Sequence, residues 1–338
     1  MAQHLKIFVG NTFVLKFNAI LGGFLAVCLA LNAQSPVPRD TSFALYSTFI
    51  KNKKKYPEIS MVSEQLPKGV KLKKDITYCS IGQRALKLDV FYPAKGTKVL
   101  PAIVLVHGGG WRSGDRSQNI ALAEQLARSG YVAVNAEYRL STEALYPAAV
   151  HDLKAAVRWA RTNAKSYKID TSKIAILGFS AGGQLASLIG TTNGNKHFEG
   201  GDDCCRNVSS AVQAIVDLDG TLAFVHPESG EGDDSKGKSA ASLWFGFSKA
   251  EKPELWHEAG ALNHVSRGTP PMLFINSSVA RMHAGRDDMI KKLNEYKIYS
   301  EVHTFPDAPH VFPLFHPWFN DTVKFTVAFL DKVLKGKS

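Results

Sequence analysis

The amino-acid sequence predicts an α/β chain with a mostly parallel central sheet and helices on both faces. Three observations carry that reading. Residues 101–106 form a continuous apolar run, the mark of a strand buried on both faces. From there onward helix-period and strand-period stretches alternate, the order that builds parallel sheets from βαβ units. Finally, Leu177-Gly178-Phe179-Ser180-Ala181-Gly182-Gly183 joins an apolar, β-branched run to a helix-forming stretch, with a serine between flanking glycines. That is the pattern of a sharp strand-to-helix turn presenting a nucleophile.

Residues 34–74 read as an N-terminal extension, packed on the main domain or part of a lid. Phe43, Leu45, Tyr46 and Phe49 mark a short helix there, broken by 51–57. Residues 74–80 and 85–92 alternate around Gly82, an antiparallel hairpin that starts the sheet. An amphipathic helix over 118–128 stops at Gly130, and 131–135 is a strand. Pro147 opens a long helix to about Asn163, at a position where its missing N–H costs nothing. Residues 173–177 feed Ser180; 212–218, 272–276 and 301–305 are later strands, and 318–334 is a closing helix. Two stretches, 191–210 and 221–269, interrupt the alternation. They leave the sheet edge where open α/β sheets bind ligands, so they read as cap insertions in a domain spanning 75–338. The second carries Trp244, Phe245, Phe247 and Trp256 and reads as a lid or substrate wall.

Hydrophobic residues at 45% and charged residues at 21% describe an ordinary globular chain with material for a sizeable core. Residues 1–33 stand apart. Lys6 and Lys16 precede an apolar stretch over 17–31, and the segment ends on the small Ala33, the pattern of a cleaved secretory signal. The stretch is short for a membrane anchor, and Val27 before Cys28 is too bulky for a lipid-attachment site. A periplasmic or secreted location is therefore expected. Loss of Lys6 and Lys16 would lower the formal net charge from +11 to +9. A basic exported chain suits an anionic polysaccharide. No basic helix with interleaved aromatics points to nucleic acid, and the lysine runs at 51–55 and 68–74 read as solvated faces. Cys79, Cys204 and Cys205 remain, an odd count that leaves at least one thiol unpaired. Cys204 and Cys205 are neighbours able to form a vicinal bridge, and Cys79 reads as core. No cysteine or histidine spacing resembles a zinc site, and no metal or organic cofactor is expected.

His107-Gly108-Gly109-Gly110-Trp111 directly follows the buried strand at 101–106. Acyl transfer builds negative charge on a carbonyl oxygen, and aimed backbone N–H groups stabilise it. Successive glycines let a backbone curl close to that oxygen, so Gly109 and Gly110 are candidate oxyanion donors, joined by the amide of Ala181. Ser180 needs a base to take its proton. His310, in the loop between the last strand and the closing helix, is placed to reach back to it, whereas His303 lies inside a strand and His316 further on.

These motifs, together with Glu137-Tyr138-Arg139-Leu140-Ser141, Tyr146-Pro147-Ala148-Ala149 and the stretch from Asp152 to Trp159, resemble α/β-hydrolase esterases from about Ile76 to the C-terminus. The resemblance is to the hormone-sensitive-lipase-like and bacterial feruloyl/acetyl esterase families. Residues 217–310 further resemble exported carbohydrate esterases of plant-polysaccharide degradation, including pectin methylesterase-like members. One family element is missing: the acid that orients the histidine usually follows the strand at 272–276, where this chain has Ser277-Ser278-Val279-Ala280-Arg281. Asp219, at the tip of the preceding strand, is the first alternative. Asp287, which with Asp288 reads more as the capped start of a helix, is the second; a dyad without an acid is the third. Arg281 and Arg286, with His283 between them, occupy the loop of the missing acid. They are candidates to clamp a substrate carboxylate, or else partners of Asp287 and Asp288.

The expectation is an exported serine esterase, with Ser180 as nucleophile, His310 as base and Asp219 as acid. Its substrate is read as a methyl or acetyl ester on plant cell-wall polysaccharide, pectic material favoured and xylan acetyl or feruloyl esters the alternative. A peptidase or lipase on the same fold, or a binding protein that kept the scaffold, are the rivals.

Overall fold

A computed structural model describes residues 40–201 and 204–337; the signal segment expected at 1–33 lies outside them. The helices are α1 (Leu45–Lys53), α2 (Ile120–Arg128), α3 (Ala148–Thr162), α4 (Ala164–Tyr167), α5 (Ala181–Thr191), α6 (Ala240–Phe245), α7 (Pro253–Glu258), α8 (Arg286–Glu295) and α9 (Phe319–Lys335). The strands are β1 (Ser60–Met61), β2 (Val70–Ile81), β3 (Arg84–Pro93), β4 (Leu100–Val106), β5 (Val132–Ala136), β6 (Ile169–Phe179), β7 (Ala214–Leu218), β8 (Met272–Asn276), β9 (Ser300–Thr304) and β10 (Phe315–His316). Among the described residues no helix is long and apolar enough to cross a membrane.

Strands β2 to β9 form one eight-stranded sheet in the order β2-β3-β5-β4-β6-β7-β8-β9. The β2–β3 and β3–β5 pairs are antiparallel; every pair from β5 through β4 to β9 is parallel. The central strands read as unbroken apolar runs because both faces are covered. Val104 and Val106 of β4 point into one core with Leu153 and Val157 of α3 and Leu185 and Leu188 of α5. Ile103 and Leu105 point into the other, with Leu122 and Leu126 of α2 and Phe329 and Leu330 of α9. At about 1.5–3 kcal/mol for a fully buried large aliphatic side chain, this double layer makes the centre of the sheet a rigid base for whatever its edge presents.

The N-terminal extension packs on the second core through Phe43, Leu45 and Phe49, and β1 pairs antiparallel with β10. An ion pair between Arg112 and Asp40 at 3.0 Å ties its start to the glycine-rich turn after β4.

One expectation is corrected. The cysteine bridge is not vicinal: Cys79 on β2 pairs with Cys204, and Cys205 is free. The sheet brings an edge strand against the excursion after α5, which spacing alone does not reveal. The second insertion is anchored by its aromatic residues, while other residues of it, Thr221, Glu231 and Ala240, line the cleft that holds Ser180. Trp244, Phe245 and Trp256 are buried and belong to the same core as the sheet, packed on Trp111 and Phe224, while Phe247 alone of the four is exposed. Rings of that size bury 150–250 Å² each, so they fix the aromatic part of the insertion to the core.

Candidate active site

Ser180 sits between β6 and α5 at φ 57° and ψ −123°. That backbone conformation costs a non-glycine residue about 1–3 kcal/mol, and the surroundings hold it there. The Ser180 amide donates to the Leu218 carbonyl of β7 at 2.8 Å, and its carbonyl accepts the Gln184 amide at 3.0 Å. Glycine is required at 182, where a Cβ would lie 2.3 Å from the Val106 carbonyl oxygen of β4. The turn is wedged into the sheet edge, and the hydroxyl is pushed out over it.

The His310 Nε2 lies 2.8 Å from the Ser180 Oγ, and its Nδ1 lies 2.9 Å from the Asp219 Oδ2. Asp219 is fully buried, at φ 53° just past the end of β7. Its Oδ1 accepts the Ser277 amide at 2.9 Å, and the Ser277 hydroxyl donates to the same Oδ2 that faces His310. The segment after β8 thus supports a carboxylate instead of supplying one. Ser278 serves the histidine loop in the same way: its amide and hydroxyl donate to the Ala308 carbonyl at 3.1 and 2.8 Å. Ser277-Ser278 was visible in the sequence as the place of the missing acid; its role as a double clamp was not.

Asp287 is apart from this cluster, in the first turn of α8, its side chain 76% exposed and paired with Arg286. Arg286 donates to Asn276 Oδ1 at 2.9 Å as well as to Asp287, so it braces β8 against α8 and does not line the cleft. Arg281 does line it. His283 is not among the lining residues either; burial, then Arg286, holds its imidazole below the ordinary pKa.

The turn after β4 is shaped around Gly109, at φ 125°, where a Cβ would meet the Ser113 carbonyl oxygen at 2.1 Å. The carbonyl of Gly109 accepts the Ser113 amide at 2.9 Å, closing the turn on itself. Trp111 anchors it, donating from Nε1 to Gln184 of α5 at 2.9 Å and stacking on Trp244 at 4.8 Å. The Gly108 amide is used by Gln118. The amides of Gly109, Gly110 and Ala181 have no acceptor among the described residues, and all three residues line the cleft that holds Ser180 and His310. Unsatisfied N–H groups are rare in folded proteins unless a ligand or water completes them.

That cleft has a volume of about 190 Å³. Phe43 from the N-terminal extension, Thr221 and Glu231 from the second insertion, and Arg281 and Met282 complete much of its wall. Phe43 and Glu231 carry no motif, and nothing in their sequence context marked them. Burial raises the Glu231 carboxyl above its ordinary range, against the pull of Arg281, His310 and Lys249. Beneath the site, burial and then the Asp219 charge push the Asp217 carboxyl well above the ordinary range. Among the described residues no cluster of histidine, cysteine and carboxylate side chains is placed to hold a metal ion.

A mostly parallel sheet with a serine at a strained β6–α5 turn and a histidine on the loop after the last strand defines an α/β hydrolase. The chain belongs to the BD-FAE family, whose model matches residues 88–284, more than half of its length. Esterase LipC of Mycobacterium tuberculosis is 29% identical over 186 residues, 54% of this chain and 45% of the relative. Probable carboxylic ester hydrolase LipM of the same organism is 27% identical over 71% of this chain and 56% of its own length. The chain therefore spans about half the length of these two relatives. Versiconal hemiacetal acetate esterase of Dothistroma septosporum is 27% identical over 72% of this chain and 75% of its own. Among solved structures, a bifunctional GH43-CE protein of Bacteroides eggerthii superposes with a TM-score of 0.67 at 26% identity, over 77% of this chain and 38% of that one. A truncated carbohydrate esterase from gut microbiota shares the fold, with a TM-score of 0.66 at 23% identity, over 81% of this chain and all of that one.

Proposed function

We propose that this protein is an exported serine carboxylic-ester hydrolase that removes short acyl groups from plant cell-wall carbohydrate. The observation that carries the reading is the unbroken line from Ser180 through His310 to Asp219, opening on a cleft lined by three amides that have no acceptor among the described residues. Ser180 attacks the ester carbonyl while His310 Nε2 takes its proton, and Asp219 stabilises the imidazolium through Nδ1. The amides of Gly109, Gly110 and Ala181 hold the oxyanion, an interaction worth about 3–4 kcal/mol per donor in comparable sites. His310 then returns the proton to the leaving alcohol, and water, activated by the same base, frees the acid from the acyl-enzyme.

The small cleft supports a short acyl group; typical small-molecule sites hold roughly 300–1,000 Å³. The carbohydrate assignment leans on the GH43-CE relative. Acetyl esters are the favoured bond, because only Arg281 of the two candidate arginines lines the cleft, and Glu231 sits beside it. A pectic methyl ester is the second reading, supported by the formal charge of +11. Export is supported by the signal-like residues 1–33 and by the Cys79–Cys204 bridge, a bond of oxidising compartments.

Ser180→Ala should abolish p-nitrophenyl acetate hydrolysis and labelling by a fluorophosphonate while the unfolding transition persists; retained turnover refutes the mechanism. Acetate release from acetylated xylan exceeding methanol release from pectin is the expected substrate result, and the reverse ratio favours the second reading.

A further inference from the structure

The chemistry above leaves one carboxyl group in the cleft without a task. Glu231 belongs to the insertion after β7, lines the same cleft as Ser180 and His310, and has a side chain only 13% exposed. Its carboxylate accepts no close hydrogen bond among the described residues; the nearest approach is the Arg281 Nη1, at 3.5 Å. A largely buried carboxylate that gives up water without gaining donors is costly, and Asp219 avoids that cost by taking donors from Ser277 and His310. Glu231 is left with acceptor capacity facing the cleft. Arg281, its side chain 55% exposed, has donor capacity beside it.

A carboxylate only accepts and a guanidinium only donates, whereas a sugar hydroxyl does both. Two adjacent hydroxyls on one ring match such a pair, one donating to Glu231 and the other accepting from Arg281. A uronate carboxylate in the same place would set a second negative charge against Glu231, which like-charge repulsion opposes. We propose that Glu231 is a specificity-determining residue that, with Arg281, grips the hydroxyls of a neutral sugar bearing the ester. The inference rests on the esterase reading above and sharpens it: the preferred polymer is uncharged at the esterified residue.

The test compares kcat/KM on an acetylated methyl xyloside with kcat/KM on p-nitrophenyl acetate, which carries no sugar. In Glu231→Gln the ratio of the two should fall roughly tenfold or more, the loss appearing in KM. An unchanged ratio overturns the assignment while leaving the esterase reading intact. A second measurement needs no variant. Methyl β-xyloside should inhibit p-nitrophenyl acetate hydrolysis by the native protein more strongly than methyl galacturonoside at equal concentration; equal or stronger inhibition by the uronate overturns the proposal. If the native protein hydrolyses neither ester and takes no fluorophosphonate label, the esterase reading itself falls, and the inference with it.

Discussion

Replacing Asp219 by Asn isolates the contribution of the acid. The carboxylate is fully buried and ringed by donors: His310 Nδ1 at 2.9 Å, the Ser277 amide at 2.9 Å, the Ser277 hydroxyl, and Asn276 Nδ2 at 3.5 Å. Of these only the Ser277 hydroxyl and, with a change of tautomer, the His310 Nδ1 can turn from donor to acceptor, and both face Oδ2. The new NH₂ group must therefore take the Oδ2 position, because the backbone amide of Ser277 holds the other side. There it donates to His310 Nδ1 and drives the imidazole proton to Nε2, which faces Ser180 Oγ at 2.8 Å. A protonated Nε2 cannot take the proton of the serine. The expected loss is about 10³–10⁴ in kcat, or about 4–5.5 kcal/mol of transition-state stabilisation. Initial rates on p-nitrophenyl acetate near neutral pH measure it, with thermal unfolding showing that the fold persists. Asp287→Asn is the control: an exposed carboxylate paired, among the described residues, with Arg286 should change kcat by about twofold or less. The reasoning is refuted if Asp219→Asn keeps more than about a tenth of native kcat, or if Asp287→Asn proves the costlier change.

Two further outcomes concern stability. Cys79 and Cys204 are separated by 125 positions, so reducing their bridge should destabilise the fold by about 2–5 kcal/mol, read as a fall of several degrees in Tm; an unchanged Tm under reductant would remove the bridge from the account. Burial, and then the Asp219 charge, push the Asp217 carboxyl well above the value of 3.8 from which the unfolded chain releases its proton. The native state therefore binds the extra proton above that pH, and its stability falls as pH rises until the folded carboxyl ionises. Asp217→Asn removes this dependence, so urea unfolding should show the variant gaining on the native protein as pH rises above 3.8; a growing deficit instead would contradict the sign.

Much of the fold was legible because its signals are local. The run at 101–106 became β4, and the alternating segments around it became the strands and helices that flank it. The boundaries moved only at frayed or extended ends, as where β6 starts at Ile169 and not at 173 because its early residues reach alongside Leu100. The β6–α5 turn and the Gly108-Gly109-Gly110 turn were legible for the same reason: each is a short stretch whose glycines meet a nearby backbone. Which part of the second insertion faces the cleft and which part anchors it was not legible, since exposure and burial look identical in a sequence until a partner such as Trp111 is in place.

The sequence by itself determined the layered α/β architecture, the serine, the histidine loop and the glycine-rich turn, because periodicity and turn chemistry act over a few residues. Only the tertiary structure decided which carboxylate stands behind His310, which cysteine Cys79 meets, and which arginine faces the cleft. Each of these depends on strand order. Placing β7 between β6 and β8 sets Asp219 against Ser277 and His310, and the fold brings Glu231 and Phe43 to the same cleft from segments far apart in the chain. Contacts between distant residues are paid for by the core as a whole, so no short stretch of sequence carries their signature.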